Sequence, residues 1–362
     1  MRIAIIGTRG IPNNYGGFEQ LAEYLSLGLK AKGHEVFVYS SHKHAYQEKM
    51  WKGIHIIHQN DPEKKIGTVG QFIYDFNCIR DSRKHKFDTI LNLGYTSSSV
   101  WMHVFPKKPR LVTNMDGLEW KRSKYSKKVQ KFLLYAEKLA VKMSDELIAD
   151  SKAIQDYLSE KYQVPSHFVA YGADLFDSPN EQVLKAFQVS PYSYNMLIAR
   201  MEPENNIEMI LDGMQRSSST NKFFVVGNTQ NKFGTYLTEK YKGDDRIVFL
   251  GPIYDIDIIN NLRYFSNLYF HGHSVGGTNP SLIEAMGCQA LIASHDNEFN
   301  KSVLEHDAFY FNDWTDISKL LEKEHRTGNQ MNSMIENNYQ KIKTSYSWSH
   351  IVEIYERILT CQ

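Results

Sequence analysis

The sequence predicts an α/β protein of two doubly wound, Rossmann-like domains. Three observations carry that expectation. Short β-branched or aromatic runs alternate with segments of helical period from the first residues onward. The same alternation starts again after a polar, Pro-containing stretch, Phe176 to Asn180. A chain of 362 residues also exceeds the size at which a single core usually keeps growing.

Ile3 to Ile6 reads as a strand ending in Gly7, followed by a Gly-rich loop through Gly16 and Gly17 to Glu19. A helix with Leu21, Leu25 and Leu29 on one face closes near Gly33, and Glu35 to Tyr39 is the next strand. This is a βαβ unit, hence a parallel sheet. The glycines are not spaced as GxGxxG, so the dinucleotide fingerprint is missing; close approach of backbone to a ligand then competes with a plain tight turn. Further strands are expected at Ile54 to Ile57, Thr89 to Leu93 and Leu111 to Asn114. Asp116 lies just past the last of these, at a carboxyl end where open α/β sheets bind ligands. It is a candidate active-site group, with a helix N-cap as the competing reading.

Glu146 to Ala149 reads as a strand, Ser151 as the cap of a helix to Tyr162, and His167 to Tyr171 as another strand. Phe176 to Asn180 is taken as the interdomain linker, giving domains over 1–175 and 176–345. In the second domain, strands are expected at Met196 to Ala199, Phe223 to Gly227 and Ile247 to Gly251, with a polar loop from Arg200 to Asn206. An apolar run, Asn267 to Phe270, then enters the stretch His271 to Cys288, HGHSVGGTNPSLIEAMGC. Its adjacent Gly276 and Gly277 precede a helix from Pro280, whose first N–H groups and dipole make an anion site suited to phosphate. Glu284 on that helix can accept hydrogen bonds from a ribose diol, and Arg200 supplies a cation for a diphosphate.

Composition excludes more than it selects. With 42 basic and 41 acidic residues, overall charge points to no partner. Cys78, Cys288 and Cys361 form no CxxC pattern and fit a reducing compartment. No apolar stretch is long enough to span a bilayer, and the strand at the first residues leaves no room for a signal peptide, so a cytoplasmic location is expected. Between Lys107 and Lys131, nine basic residues stand against Asp116 and Glu119, with Trp120 and Tyr125 among them. A solvated helix face or an anionic membrane surface explains this block better than nucleic acid does. Asp255-Ile256-Asp257 has the form of a metal-binding DxD but precedes a helix, where capping is the better reading. His271 and His273 alternate as strand residues on opposite faces and lack a third ligand for zinc, so no metal is expected. Neither GxSxG nor GxxxxGK occurs.

With Ile198 to Ile207 (IARMEPENNI), Pro280 to Gly287 (PSLIEAMG), Tyr346-Ser347-Trp348, Ser144 to Ser151 and Tyr171 to Asp174 in hand, the chain resembles the retaining GT-B glycosyltransferases of family 4 almost end to end. Gly7 to Pro12, Gly16 to Glu19, Asp116 to Arg122 and His271 to Pro280 resemble, more narrowly, a bacterial subgroup containing rhamnosyltransferases of surface-polysaccharide assembly. The resemblance implies an N-terminal acceptor domain, completed by a terminal helix in 346–362, facing across a cleft a C-terminal domain that holds a nucleotide-diphospho-sugar as substrate, with no cofactor. It implies a donor site from Gly16 and Gly17, Arg200, Asn205 and His273, with the loop Gly276, Gly277, Thr278, Asn279 and then Glu284. Asp116, Glu19 and Arg200 are the expected catalytic groups. Two departures stand out: the family's Lys after the motif Arg is Asn205, and the first of its two glutamates is Gly276. The implied reaction is transfer of a sugar, with rhamnose from dTDP-L-rhamnose as the expectation, to a saccharide or lipid-linked acceptor. A non-catalytic nucleotide-sugar or glycan-binding protein is the alternative, and a phosphorylase or epimerase of the same fold a third.

Overall fold

The structure is a computed structural model describing residues 1–14, 16–121, 125–274, 277–323 and 329–361. The chain divides into two compact units, one of Met1–Tyr171 with Trp348–Gln362 and one of Gly172–Ser347.

Unit 1 holds strands β1 (Arg2–Ile6), β2 (Glu35–Ser41), β3 (Met50–Trp51), β4 (Ile54–Gln59), β5 (Thr89–Leu93), β6 (Arg110–Asn114), β7 (Glu146–Ala149) and β8 (His167–Phe168). They form one sheet in the order β3-β4-β2-β1-β5-β6-β7-β8, parallel except for β3 at the edge. The central strands are largely apolar and buried because helices cover both faces of a doubly wound sheet; all five residues of β5 are buried, the polar Thr89 and Asn92 included. The helix Gly17–Ala31 buries Leu21, Leu25 and Leu29 as its period predicts. Unanticipated from the sequence is the helix Val69–Ser82, which places Tyr74, Cys78 and Ile79 in the core with Phe37 and Phe87. The terminal helix Trp348–Thr360 packs on unit 1: Trp348 stacks on Tyr24 at 4.1 Å. Asn114 Nδ2 donates to Tyr355 Oη, and Thr89 Oγ1 to the Leu359 carbonyl.

Unit 2 contains β9 (Tyr194–Ile198), β10 (Lys222–Val226), β11 (Ile247–Gly251), β12 (Tyr269–His271), β13 (Ile292–His295) and β14 (Phe309–Phe311), all parallel, in the order β11-β10-β9-β12-β13-β14. Its core gathers Leu197, Ile210, Phe223, Leu268, Phe270 and Phe311. The segment read as a linker is held within this unit: Phe176 N donates to the Gly287 carbonyl, and its ring meets Tyr264 edge-on. No helix among the described residues is long and apolar enough to cross a membrane.

Both sheets reverse their winding beside the first strand of the unit, at β1/β5 and at β9/β12. Strand order of this kind opens a crevice at the carboxyl ends.

Candidate functional site

In unit 2 that crevice is bordered by the loops after β9 and β12. Arg200 follows β9, is exposed, and makes no side-chain ion pair or hydrogen bond among the described residues. Asn205, at the position where a cation was expected by resemblance, is buried and folds back, its Nδ2 donating to the Arg200 carbonyl at 2.8 Å. It therefore fixes the loop that carries Arg200. The neighbouring loop is tied to this one at several points. Asn206 Nδ2 donates to the Gly272 carbonyl, and Ser274 gives both its N–H and its hydroxyl to the Glu204 carbonyl. A Cβ on Gly272 would lie 2.2 Å from the Asn205 carbonyl oxygen, so this close approach requires glycine.

The helix Pro280–Gly287 begins as expected, with Pro280 in its first turn and Asn279 as cap. The Asn279 side chain is engaged there, accepting from the Ser281 N–H and hydroxyl. Thr278 is buried and Gly277 half-buried; Gly276 lies outside the described residues. Glu284 sits in the second turn, and its Oε2 accepts from Arg263 Nη2 at 2.5 Å. The Arg263 side chain is 3 % exposed and that of Glu284 23 %, so the cation is buried and the carboxylate partly so. Burial works against the guanidinium's charge, but Glu284 outweighs it and holds the group above its ordinary range. The sequence reading did not name Arg263. It does lie on the buried stripe of the helix Ile256–Tyr264, four residues after Ile259 and next to Leu262, and a cation there signals a buried partner.

Two motif readings meet the structure differently. Asp255 caps the helix Ile256–Tyr264, accepting from the N–H groups of Asp257 and Ile258, as expected of an acid in that place. The placement of His271 and His273 on opposite faces is corrected: their rings stack at 4.4 Å, with planes 13° apart. The reason is that residues two apart along an extended chain share a face, so alternation itself brings His273 to the side of His271 at the end of β12. Burial, then His273 and His295 nearby, lower the His271 pKa well below its ordinary value and keep the ring neutral.

In unit 1 the crevice at β1/β5 is a cavity of about 150 Å³ bordered by Gly7, Arg9, Phe18, Gly94 and Asp116. Asp116 has φ +53°, and its N–H donates to Asn114 Oδ1. It is not a helix cap, because the next turn of helix starts at Glu119. Glu19 is 3 % exposed, and its Oε1 accepts from the Arg9 N–H at 2.8 Å and from Thr8 Oγ1 at 3.1 Å. Glu19 thus acts as a strut of the β1 loop. Gly16 caps the helix that starts at Gly17, and its φ of −162° is open to any residue; a Cβ there would lie 3.3 Å from Glu19 Oε2.

The cavity also gathers acids that the sequence reading did not single out. Arg9 is clamped bidentately by Glu63, and Asp75 Oδ2 accepts from Ser97 Oγ at 2.6 Å. Burial pushes Asp75 up to about 6, while Ser97 and Arg9 pull the other way. Asp150, after β7, is driven well above the carboxylate range by burial and then by Asp116. The basic stretch is divided in space. Arg110 pairs with Glu146 at 2.6 Å, and β6 separates Lys107 and Lys108 from Lys127, Lys128 and Lys131 on the helix Lys127–Met143.

Residues 190–341 match the family model "Glycosyl transferases group 1", and residues 1–174 match a "Domain of unknown function (DUF1972)". No curated protein matches the sequence. Among solved structures the chain is similar to sucrose-phosphate synthase from Thermosynechococcus elongatus (14 % identity, 100 % of each chain covered, TM-score 0.79). It is also similar to HepE from Anabaena in complex with UDP and glucose (14 %, 100 % of each, TM-score 0.77). A third is WaaG, a glycosyltransferase involved in lipopolysaccharide biosynthesis (15 %, 100 % of each, TM-score 0.69). Two parallel-sheet α/β domains and these likenesses make the fold GT-B, and the group 1 match over the second unit supports a glycosyltransferase.

Proposed function

We propose that the protein is a retaining, family 4-like glycosyltransferase whose unit 2 binds a nucleotide-diphospho-sugar and whose unit 1 presents a saccharide acceptor. One observation carries this reading. At the carboxyl edge of a domain matching the group 1 model stand an exposed guanidinium, Arg200, a capped helix start at Asn279, and Glu284 oriented by a buried arginine. Arg200 and the N–H groups of Gly277, Thr278 and Asn279 would take the diphosphate, and Glu284 the ribose. The likeness to HepE in complex with UDP supports a donor of this class.

The family resemblance favours front-face attack within an ion-pair-like transition state, which is the mechanism proposed; among the described residues no carboxylate stands out as a covalent nucleophile. Catalysis then consists mainly of positioning and of stabilising the departing diphosphate. Asp116 is the group proposed to act near the reacting sugar or the acceptor hydroxyl. Rhamnose from dTDP-L-rhamnose is the proposed donor because Asn205 and Gly276 stand where the family has Lys and Glu. Transfer is proposed to proceed without a divalent metal.

The acceptor is proposed to be lipid-linked and met at the inner face of the cell membrane in polysaccharide assembly. Lys127, Lys128 and Lys131 are exposed, and Phe132 beside them meets Phe72 at 5.7 Å. Ile66, Val69 and Ile73 are exposed on the adjoining segment. Basic and apolar groups together suit an anionic bilayer.

The test is a thermal-shift panel of dTDP-, UDP- and GDP-sugars, followed by an assay for released nucleoside diphosphate with a saccharide acceptor, with and without EDTA. Stabilisation by dTDP-L-rhamnose with EDTA-resistant release is expected. Binding without turnover would favour the non-catalytic alternative, and no stabilisation by any donor would end the reading.

A further inference from the structure

The β1/β5 cavity of unit 1 carries information about the guest it can accept. Its volume, about 150 Å³, leaves room for one sugar ring. The polar wall is dominated by Asp61, Glu63, Asp75 and Asp116. Arg9 is the cation bordering the cavity, and Glu63 already holds it through contacts of 2.8 and 2.9 Å. Phe18 supplies an aromatic surface, and it lies so near the β5 loop that a Cβ on Gly94 would come within 3.1 Å of its ring.

Carboxylates are acceptors, so the matching guest is rich in hydroxyl donors. Asp61 and Asp75 are each 8 % exposed and held by hydrogen bonds. Asp61 accepts from Ser41 Oγ and the Glu63 N–H, and Asp75 from Ser97 Oγ. A wall of this sign in a partly enclosed space repels a second anion, with little screening by salt. The raised pKa of Asp75 adds that this carboxyl can also carry a proton and donate when a hydroxyl oxygen faces it.

We infer that this cavity binds a single uncharged or amino sugar ring, the terminal sugar of the acceptor, and that its carboxylates exclude rings bearing a phosphate or carboxylate. The inference rests on the reading of unit 1 as the acceptor domain. It narrows that reading from any saccharide to those whose accepting ring carries no negative charge; charge elsewhere on the acceptor is not restricted.

The experiment uses the isotope-labelled full chain at pH 7.5. Glucose, glucosamine, glucuronic acid and glucose 6-phosphate are titrated separately, and the amide signals of Thr8, Thr96 and Ser97 are followed. UDP and dTDP are titrated in parallel and read at Arg200 and Thr278. Glucose and glucosamine are expected to shift the unit 1 amides with at least tenfold tighter apparent binding than the two anionic sugars. Asp75→Asn is expected to reduce that discrimination severalfold, with its other amide signals marking an intact fold. Anionic sugars binding as well as glucose would overturn the inference. So would four sugars that leave these amides unmoved, or discrimination unchanged in Asp75→Asn. Nucleotides that leave unit 2 unmoved would count against the transferase reading instead, so the two failures are distinguishable.

Discussion

Unit 1 and unit 2 both wind outward from a central parallel strand and both reverse beside it, yet they furnish the resulting crevices with opposite charge. At β9/β12 the exposed group is a guanidinium, Arg200, next to a capped helix start; the nearby acid, Glu284, is already paired with Arg263. At β1/β5 the cation, Arg9, is the group already paired, and carboxylates remain on the wall. The backbone geometry is shared, and the side chains decide the guest. Unit 2 suits an anionic diphosphate, whereas unit 1 suits hydroxyls.

The contrast can be broken most severely at Arg200. Arg200→Ala removes the exposed cation from unit 2 and should lower kcat/KM for the nucleotide sugar on the order of 100-fold, about 3 kcal/mol of transition-state stabilisation. A variant that keeps wild-type transfer would detach Arg200 from the donor. Next comes the Arg263–Glu284 pair: Arg263→Met removes the buried cation from a partly exposed carboxylate and should cost roughly 1–3 kcal/mol in urea-monitored unfolding, with a raised donor KM. An unchanged donor KM would reduce Arg263 to a purely structural residue.

A smaller effect is expected in unit 1, and its sign can be worked out. Asp75 has its folded pKa raised from 3.8 to about 6, so the folded state binds more protons than the unfolded one between those values. Stability contributed by the protonated form is present at low pH and lost as pH rises through that window. Asp75→Asn, which cannot ionise, should therefore be more stable than wild type at pH 8 by roughly 1–3 kcal/mol, and should show little difference at pH 4. Equal differences at both pH values would show that Asp75 is not held near neutrality by burial. The smallest change is at the surface: replacing Lys127, Lys128 and Lys131 by Glu should weaken binding to vesicles containing anionic lipid by about 1 kcal/mol per lysine at low salt. Vesicle binding that ignores both charge and salt would separate this face from the membrane.

Much of the scaffold was legible from local pattern. The strands at Thr89–Leu93 and Ile247–Gly251 and the helix with Leu21, Leu25 and Leu29 follow from periodicity, and Asn279-Pro280 from capping chemistry. The helix Val69–Ser82 was not, because Asp75, Asn77 and Asp81 dilute its apolar stripe. The same dilution hid the chemistry. Asp75 lies on the face that buries Tyr74, Cys78 and Ile79, and Arg263 on the face that buries Ile259 and Leu262. A charged residue on an apolar stripe weakens the helical signal, and its meaning depends on a partner from elsewhere in the chain.

The sequence by itself determined the alternation of strands and helices, the two glycine-rich turns, and the positions of Arg200 and Asp116 at strand ends, because each depends on residues close in the chain. Tertiary structure alone decided which charges remain available. It paired Arg263 with Glu284 and Arg9 with Glu63, turned Asn205 back onto the Arg200 carbonyl, made Glu19 a strut, and divided a contiguous basic stretch between the two ends of β6. Whether a charge is spent or free depends on distance in space and on burial, and neither can be read from the order of residues.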